Sequence, residues 1–276
     1  MKIHYVPYQL ISRWEKSTRK GVLLQIETEE GKGYADLHPR MEWGDLPLKE
    51  QLTALTQGKT TPLLERALIH AALDRSARQK EVLLRGPEPV SHHLIVDPTQ
   101  PIPSTGVLKL KVRVDPLPLL KQGRHLRLDF NAKLTEESFY HRAEAWLPYK
   151  AQIDFIEDPF PYDPLKWEQA EQQLGIPLAH DATVEPTSRA SIFVIKPARQ
   201  DPQTFRHTLK RLVMTSYLAH PLERQVAAYF AAQICPQETC GLTSDAFYQE
   251  TPYHFSEGGT GFGYDDLLAR EPWLPL

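Results

Sequence analysis

Lys109 and Lys111 stand two residues apart in Val107-Leu-Lys-Leu-Lys-Val, and that spacing puts both side chains on one face of a β-strand. Arg127, Asp129 and Asn131 repeat the spacing further along. Glu157 ends the apolar run Ile153-Asp-Phe-Ile-Glu, Asp181 follows Pro177-Leu-Ala-His, and Lys196 follows Ile192-Phe-Val-Ile. Three carboxylates at the ends of neighbouring strands form an oxygen-rich set. With no Cys or His among them, that set suits a hard, octahedral cation such as Mg2+ better than a soft metal. Taken singly, each residue has an ordinary explanation. A strand-end lysine is commonly solvated, and an acid at a strand-to-helix junction, such as Asp158 or Asp181, commonly caps the helix. Seven charges directed at one mouth are costly, however, unless a metal or substrate balances them.

These residues need a scaffold that gathers strand ends. From about residue 92 short apolar runs recur at His93, Val107, Leu126, Ile153, Pro177, Ile192 and Leu212. Helical stretches are expected between several of them: Thr135 to Tyr149, Pro164 to Leu174, Pro202 to Arg211 and Ala219 to Ile234. Alternation of strand and helix predicts a parallel sheet, and seven or eight strands predict a closed barrel whose C-terminal strand ends ring one mouth. Residues 1–90 read as a separate α+β unit. Two strands, from Gly21 and Gly33, form a hairpin through Glu29-Glu-Gly-Lys, followed by helices at Pro47 to Thr56 and Pro62 to Gln79. Arg85-Gly-Pro-Glu-Pro breaks the pattern and serves as a linker. The barrel is expected over 91–257, and the tail 258–276, rich in Gly and aromatics, is expected to return to the first unit.

The spacing also predicts an irregular barrel. Asp129 to Glu157 and Glu157 to Asp181, at 28 and 24 residues, leave room for full strand-helix units. Lys111 to Asp129 and Asp181 to Lys196, at 18 and 15, do not, and the link from Val96 to Val107 is short and holds three prolines. Helices should be lost or shortened after His93-Val96, after Lys111 and after Asp181.

Composition sets the class. The 276 residues are 41% hydrophobic and 24% charged, with 32 basic against 35 acidic side chains and a net charge of −3. That is the range of globular proteins and gives no electrostatic footprint for nucleic acid. No apolar run reaches the length of a membrane span, and MKIHYVPYQL lacks the apolar core of a signal peptide. Cys235 and Cys240 are too few for a disulfide scaffold or zinc ribbon. A cytoplasmic enzyme is expected, with a small-molecule substrate, no nucleic acid, no membrane and no obligate protein partner.

The ordered set Lys109-x-Lys111, Asp129-x-Asn131, Glu157-Asp-Pro, His180-Asp181 and Ile195-Lys196-Pro is similar to the enolase superfamily in its muconate-lactonizing branch. Leu126-Arg-Leu-Asp-Phe-Asn-Ala-Lys-Leu-Thr especially resembles the o-succinylbenzoate synthases. The likeness covers most of the chain. It implies an α/β chain built as a modified (β/α) barrel with reduced helices behind an N-terminal α+β capping domain. It also implies Mg2+ at Asp129, Glu157 and Asp181, catalytic lysines Lys111 and Lys196 on opposite faces of a carboxylate substrate, and syn dehydration in menaquinone biosynthesis. Lys109, next but one to Lys111, would help depress the pKa of that base. Arg127 and Asn131 would support substrate, with Thr215, Ser216 and Gly241 at the ends of strands seven and eight receiving its succinyl group. Val6 to Trp14 is a candidate cap loop. The competing expectations are an N-acylamino acid racemase or dipeptide epimerase on the same scaffold, and a barrel that only binds a ligand. Dipeptide epimerases typically carry Asp-x-Asp at strand eight, where this chain has Gly241-Leu-Thr-Ser with Asp245 displaced.

Overall fold

The computed structural model describes residues 1–14, 18–85, 90–111, 113–181, 184–242, 248–249 and 259–276. Thr243, Ser244 and Asp245 therefore lie outside the described residues.

The N-terminal sheet is antiparallel. β1 (Lys2–Ile11) pairs along its whole length with β2 (Thr18–Thr28), which turns back through Glu29 and Glu30 into β3 (Gly31–Leu37). The candidate cap loop is thus strand as far as Ile11. The alternation in β1 was hard to read because the face of Val6, Tyr8 and Leu10 begins with Lys2 and His4, while the other face mixes Ile3, Tyr5 and Ile11 with Pro7 and Gln9. A short 3-10 turn, Met41–Trp43, leads to α1 (Leu48–Thr56) and α2 (Pro62–Gln79). α2 starts where Thr61 accepts a hydrogen bond from Leu64 N at 3.2 Å with Pro62 in the first helical turn, a matched pair of N-terminal signals. Its Leu64, Ala67 and Ala71 are buried against the sheet. The approach is close: a Cβ on Gly33 would stand 1.9 Å from the Ala71 carbonyl oxygen. Asp74 of α2, fully buried, accepts hydrogen bonds from Tyr34 N at 3.0 Å, Phe262 N at 2.8 Å and Arg78 Nε at 2.6 Å, tying strand, helix and C-terminal tail together. The tail continues through α7 (Asp265–Arg270) to β11 (Leu274–Pro275), which pairs antiparallel with β1.

The second sheet is parallel, in sequential order: β4 (His93–Ile95), β5 (Leu108–Lys111), β6 (Leu126–Asp129), β7 (Ile153–Glu157), β8 (Leu178–His180), β9 (Ile192–Ile195) and β10 (Arg211–Met214). Cys240 and Gly241 bridge its two edges. Gly241 N donates to Met214 O at 2.8 Å, Ser216 N to Gly241 O at 2.9 Å, Cys240 N to Val90 O at 2.7 Å and His92 N to Cys240 O at 2.9 Å. The eighth strand is compressed to this bridge, and the sheet closes. A Cβ at 241 would lie 2.6 Å from Thr215 Cγ2 and 2.9 Å from His92 Cε1, so closure at this point requires glycine.

Strand residues alternate between two clusters. Leu108, Leu110, Leu126, Leu128, Ile156, Leu178, Phe193 and Ile195 pack outward into the main core. Phe155, Ala179, Ile192, Val194 and Val213 form a small separate cluster on the other face, inside the barrel. Helices cover the sheet unevenly. α4 (Glu136–Glu144), α5 (Pro164–Leu174) and α6 (Pro221–Ile234) follow β6, β7 and β10. After β4 there is no helix, after β5 only the five-residue α3 (Leu117–Lys121), and after β8 none among the described residues. The short spacings had required these three reductions. One further helix is missing: Pro202 to Arg211, expected to be helical, holds a single 3-10 turn, Pro202–Phe205, and Arg211 already begins β10.

Candidate active site

The register of the parallel strands gathers the charged residues. Lys111 pairs with Asp129, and Asp129 with Glu157; Glu157 pairs with Ala179, which leaves Asp181 two residues further along on the same face. The strand ends that carry them turn sharply. Asn131, Ala132 and Asp158 take left-handed backbone angles, φ 47°, 54° and 42°. Such angles are costly for residues with a Cβ and cluster where function fixes the backbone. Three hydrogen bonds hold them: Ala132 N to Asp158 O at 2.7 Å, Asn131 N to Asp129 Oδ1 at 3.1 Å, and Asp181 N to Asp158 Oδ1 at 3.1 Å.

Asp129, Glu157 and Asp181 are buried in the mouth, and each meets a lysine. Lys109 Nζ donates to both oxygens of Glu157, at 2.6 and 2.7 Å, and lies 2.9 Å from Asp129 Oδ2. Lys111 Nζ reaches the same Asp129 oxygen at 2.5 Å and Asn131 Oδ1 at 3.2 Å. Lys196 Nζ is bonded to Asp181 Oδ1. Burial pushes Glu157 well above the usual carboxylate range, and the neighbouring Asp129 charge adds to this against the pull of Lys109. Burial alone would raise Asp129 as well, but Lys109 and Lys111 outweigh it and hold that carboxyl below the ordinary range. Lys196 and Lys109 do the same for Asp181. Burial drives Asp158 up to about 7, helped by the charges of Asp181 and Asp129.

The donor chemistry fits a hard divalent cation. Among the described residues the acids do not form a ready-made coordination group, because the amines occupy their oxygens. The ammonium groups neutralise charges that a cation would otherwise share. The lysines differ in access: the Lys111 side chain is 24% exposed and that of Lys109 only 8%. Lys196 is as closed as Lys109, at 8%; Lys111 is the most open of the three, and Lys109 is committed to two acids.

Other expected residues are placed differently. Arg127 shares the inward face with Asp129 but sits one layer deeper, fully buried beneath the mouth. Its guanidinium donates to Asp154 at 2.7 Å, Glu238 at 2.9 Å and Thr239 O at 2.6 Å, and stacks 4.6 Å over Phe155. Arg211, at the N-terminal end of β10, bonds the same two acids. Arg127 thus belongs to the barrel floor, where its guanidinium nitrogens are taken up by Asp154, His92, Thr239 O and Glu238, and not with the residues at the mouth. Thr215 is buried at the end of β10, and its Oγ1 has no hydrogen-bond partner among the described residues. Ser216 Oγ is bonded to Gly241 O at 3.2 Å.

The capping unit contributes residues that sequence reasoning missed. Trp43 lies with its ring centroid 5.0 Å from Lys196 Nζ, and its carbonyl accepts from Arg199 at 3.1 Å. A single Trp between Pro39 and Pro47 carries no periodic signal.

Solved structures share this architecture. A dipeptide epimerase from Enterococcus faecalis superposes with a TM-score of 0.76, covering 95% of this chain and 98% of that one, at 16% identity. An o-succinylbenzoate synthase from Thermosynechococcus elongatus, described as complexed with Mg in its active site, superposes with a TM-score of 0.68 over 98% and 100% at 20% identity. At such identities the likeness is to the fold alone: a barrel of parallel strands behind an N-terminal antiparallel cap. Sequence comparison goes further. Residues 3–77 match the family described as O-succinylbenzoate synthase, N-terminal domain. A curated o-succinylbenzoate synthase from Bdellovibrio bacteriovorus is 30% identical in an alignment covering 100% of this chain and 99% of that protein. The chain belongs to the o-succinylbenzoate synthase family.

Proposed function

We propose that this chain is a Mg2+-dependent hydro-lyase that converts 2-succinyl-6-hydroxy-2,4-cyclohexadiene-1-carboxylate to o-succinylbenzoate in menaquinone biosynthesis, with Lys111 as its acid–base residue. The observation that carries the reading is the convergence of Lys111, Asp129, Glu157, Asp181 and Lys196 at one mouth, in a chain related over its full length to an o-succinylbenzoate synthase.

Asp129, Glu157 and Asp181 would hold the Mg2+. When bound, the ion supplies Lewis-acid polarisation of the substrate carboxylate, which makes the adjacent C–H more acidic. Lys111, the more open lysine, removes that proton and returns it to the departing hydroxyl on the same face, so one residue serves both steps of a syn elimination. Lys196 stays protonated and presents a fixed positive charge to the developing enolate from the other side. Lys109 holds Asp129 and Glu157 in place and offsets their charge, a supporting role in place of proton transfer. Thr215 Oγ1 donates to the succinyl group; Ser216 and Gly241 shape the pocket through the closing bridge. Asn131 orients the Lys111 amine.

No described helix is long and apolar enough to cross a membrane, and a cytoplasmic setting goes with this reading. Purified protein with Mg2+ and the cyclohexadiene should yield o-succinylbenzoate, followed by its ultraviolet absorbance. Turnover of an N-acylamino acid with none of the cyclohexadiene would point instead to the racemase on this scaffold.

A further inference from the structure

We propose that Trp43 is a positioning residue for Lys196: the capping segment lays its indole against the ammonium and holds it in the barrel mouth. This rests on the role given to Lys196 above.

Lys196 Nζ lies between Asp181, to which it is bonded, and the Trp43 ring at 5.0 Å. Those neighbours act differently. The bond to Asp181 occupies an oxygen assigned to the metal, so a bound ion would displace the ammonium from it. An indole face attracts a cation without competing as a ligand.

The indole is itself fixed. Arg199 donates to Trp43 O at 3.1 Å, to Tyr217 Oη at 3.0 Å and to Asp45 Oδ2 at 3.4 Å, while Tyr217 Oη donates to Asp45 Oδ2 at 2.8 Å. Arg40 N donates to the same Asp45 oxygen at 2.8 Å and its guanidinium to Tyr217 O at 2.6 Å. Arg40 and Arg199 stack on the Trp43 ring at 5.0 and 5.3 Å, and Tyr217 meets it edge-on at 5.2 Å. Gly44, at φ 84°, lets the chain turn between Trp43 and Asp45. Arg199 and Lys196 belong to one tight turn, in which Arg199 N donates to Lys196 O at 2.8 Å. The clamp therefore fixes the cap residue and the lysine to the same piece of backbone.

The test compares Trp43→Leu and Trp43→Phe in the full chain. Three quantities are measured: kcat and KM with Mg2+ and the cyclohexadiene, Mg2+ affinity by calorimetry without substrate, and the thermal midpoint. Trp43→Leu should lower kcat about tenfold, the size of a partly desolvated cation–π contact, with KM changed by less than about twofold. Mg2+ should bind several-fold more weakly, because the ammonium it must displace from Asp181 no longer has the indole as a second partner. Trp43→Phe, which keeps an aromatic face, should recover most of both. Unchanged kcat and Mg2+ affinity in Trp43→Leu would overturn the proposal. So would equal impairment of Leu and Phe variants in step with a lowered thermal midpoint, which marks a packing residue only. Lys196→Ala, run in parallel, separates the two claims. If it turns over like wild type, the role of Lys196 fails; if it is inactive while Trp43→Leu is intact, only the Trp43 proposal fails.

Discussion

Replacing Arg127 by Met keeps most of the side-chain volume and removes the cation at the floor of the barrel. The structure assigns that cation to stability and not to substrate. Its loss leaves Asp154 and Glu238, with side chains 24% and 14% exposed, one partner short. Breaking a buried pair by removing one member costs about 3–5 kcal/mol. Arg211 still bonds both acids, at 2.6–3.1 Å, so the lower end, about 3 kcal/mol, is expected. At about 2 °C per kcal/mol for a chain of this size, the thermal midpoint should fall by about 6 °C. The assay pairs a thermal or urea melt with steady-state kinetics at a temperature where the variant is folded. KM should change by less than about twofold. A large rise in KM with unchanged stability would refute the placement and return Arg127 to the substrate pocket.

Thr215→Val removes a buried hydroxyl that has no partner among the described residues and should raise KM by about 5- to 10-fold with little change in melting, since a neutral hydrogen bond is worth about 0.5–1.5 kcal/mol. Gly241→Ala forces a methyl group against Thr215 and His92 and should cost about 1–3 kcal/mol of stability, the range for overpacking, read in a urea melt. Chelation of Mg2+ should abolish turnover yet leave the chain folded, because Lys109, Lys111 and Lys196 already neutralise the acids; saturation at a hundredfold over Kd adds only about 2.7 kcal/mol, visible as a shift in melting. Burial raises Glu223 to about 8; the folded state thus binds more protons than the unfolded one between the ordinary carboxylate range and pH 8. Stability carried by this group should fall as pH rises through that window, by up to about 1.4 kcal/mol per unit. Glu223→Gln should flatten that part of a stability-against-pH curve.

Much of the site was legible because a strand has a period of two. Lys109, Lys111, Asp129 and Glu157 announce one face, and the spacing between strand ends announces which helices are missing. Depth along the barrel axis is not encoded in that period. Arg127 and Asp129 share a face, yet one lies in the floor and the other in the mouth, a distinction that only the partners Asp154 on β7 and Glu238 in the turn before Cys240 create. The eighth strand was faint because it is reduced to a bridge at Cys240 and Gly241. Trp43 was invisible because its role depends on a long-range clamp through Arg199 and Tyr217. The expected helix from Pro202 fails for a local reason: the chain re-enters the sheet at Arg211, leaving room for one 3-10 turn only.

The central claim is that Lys111 moves the proton while Lys196 supplies charge, and side-by-side turnover of the cyclohexadiene by wild type, Lys111→Arg and Lys196→Arg tests it most directly. Guanidinium does not deprotonate near neutral pH. Lys111→Arg should therefore lose at least about 10⁴-fold, the upper range for a general base, because the same residue also protonates the leaving hydroxyl. Lys196→Arg keeps its positive charge and should retain measurably more activity. Equal inactivity of the two variants, with wild type turning over an N-acylamino acid and not the cyclohexadiene, would contradict the account.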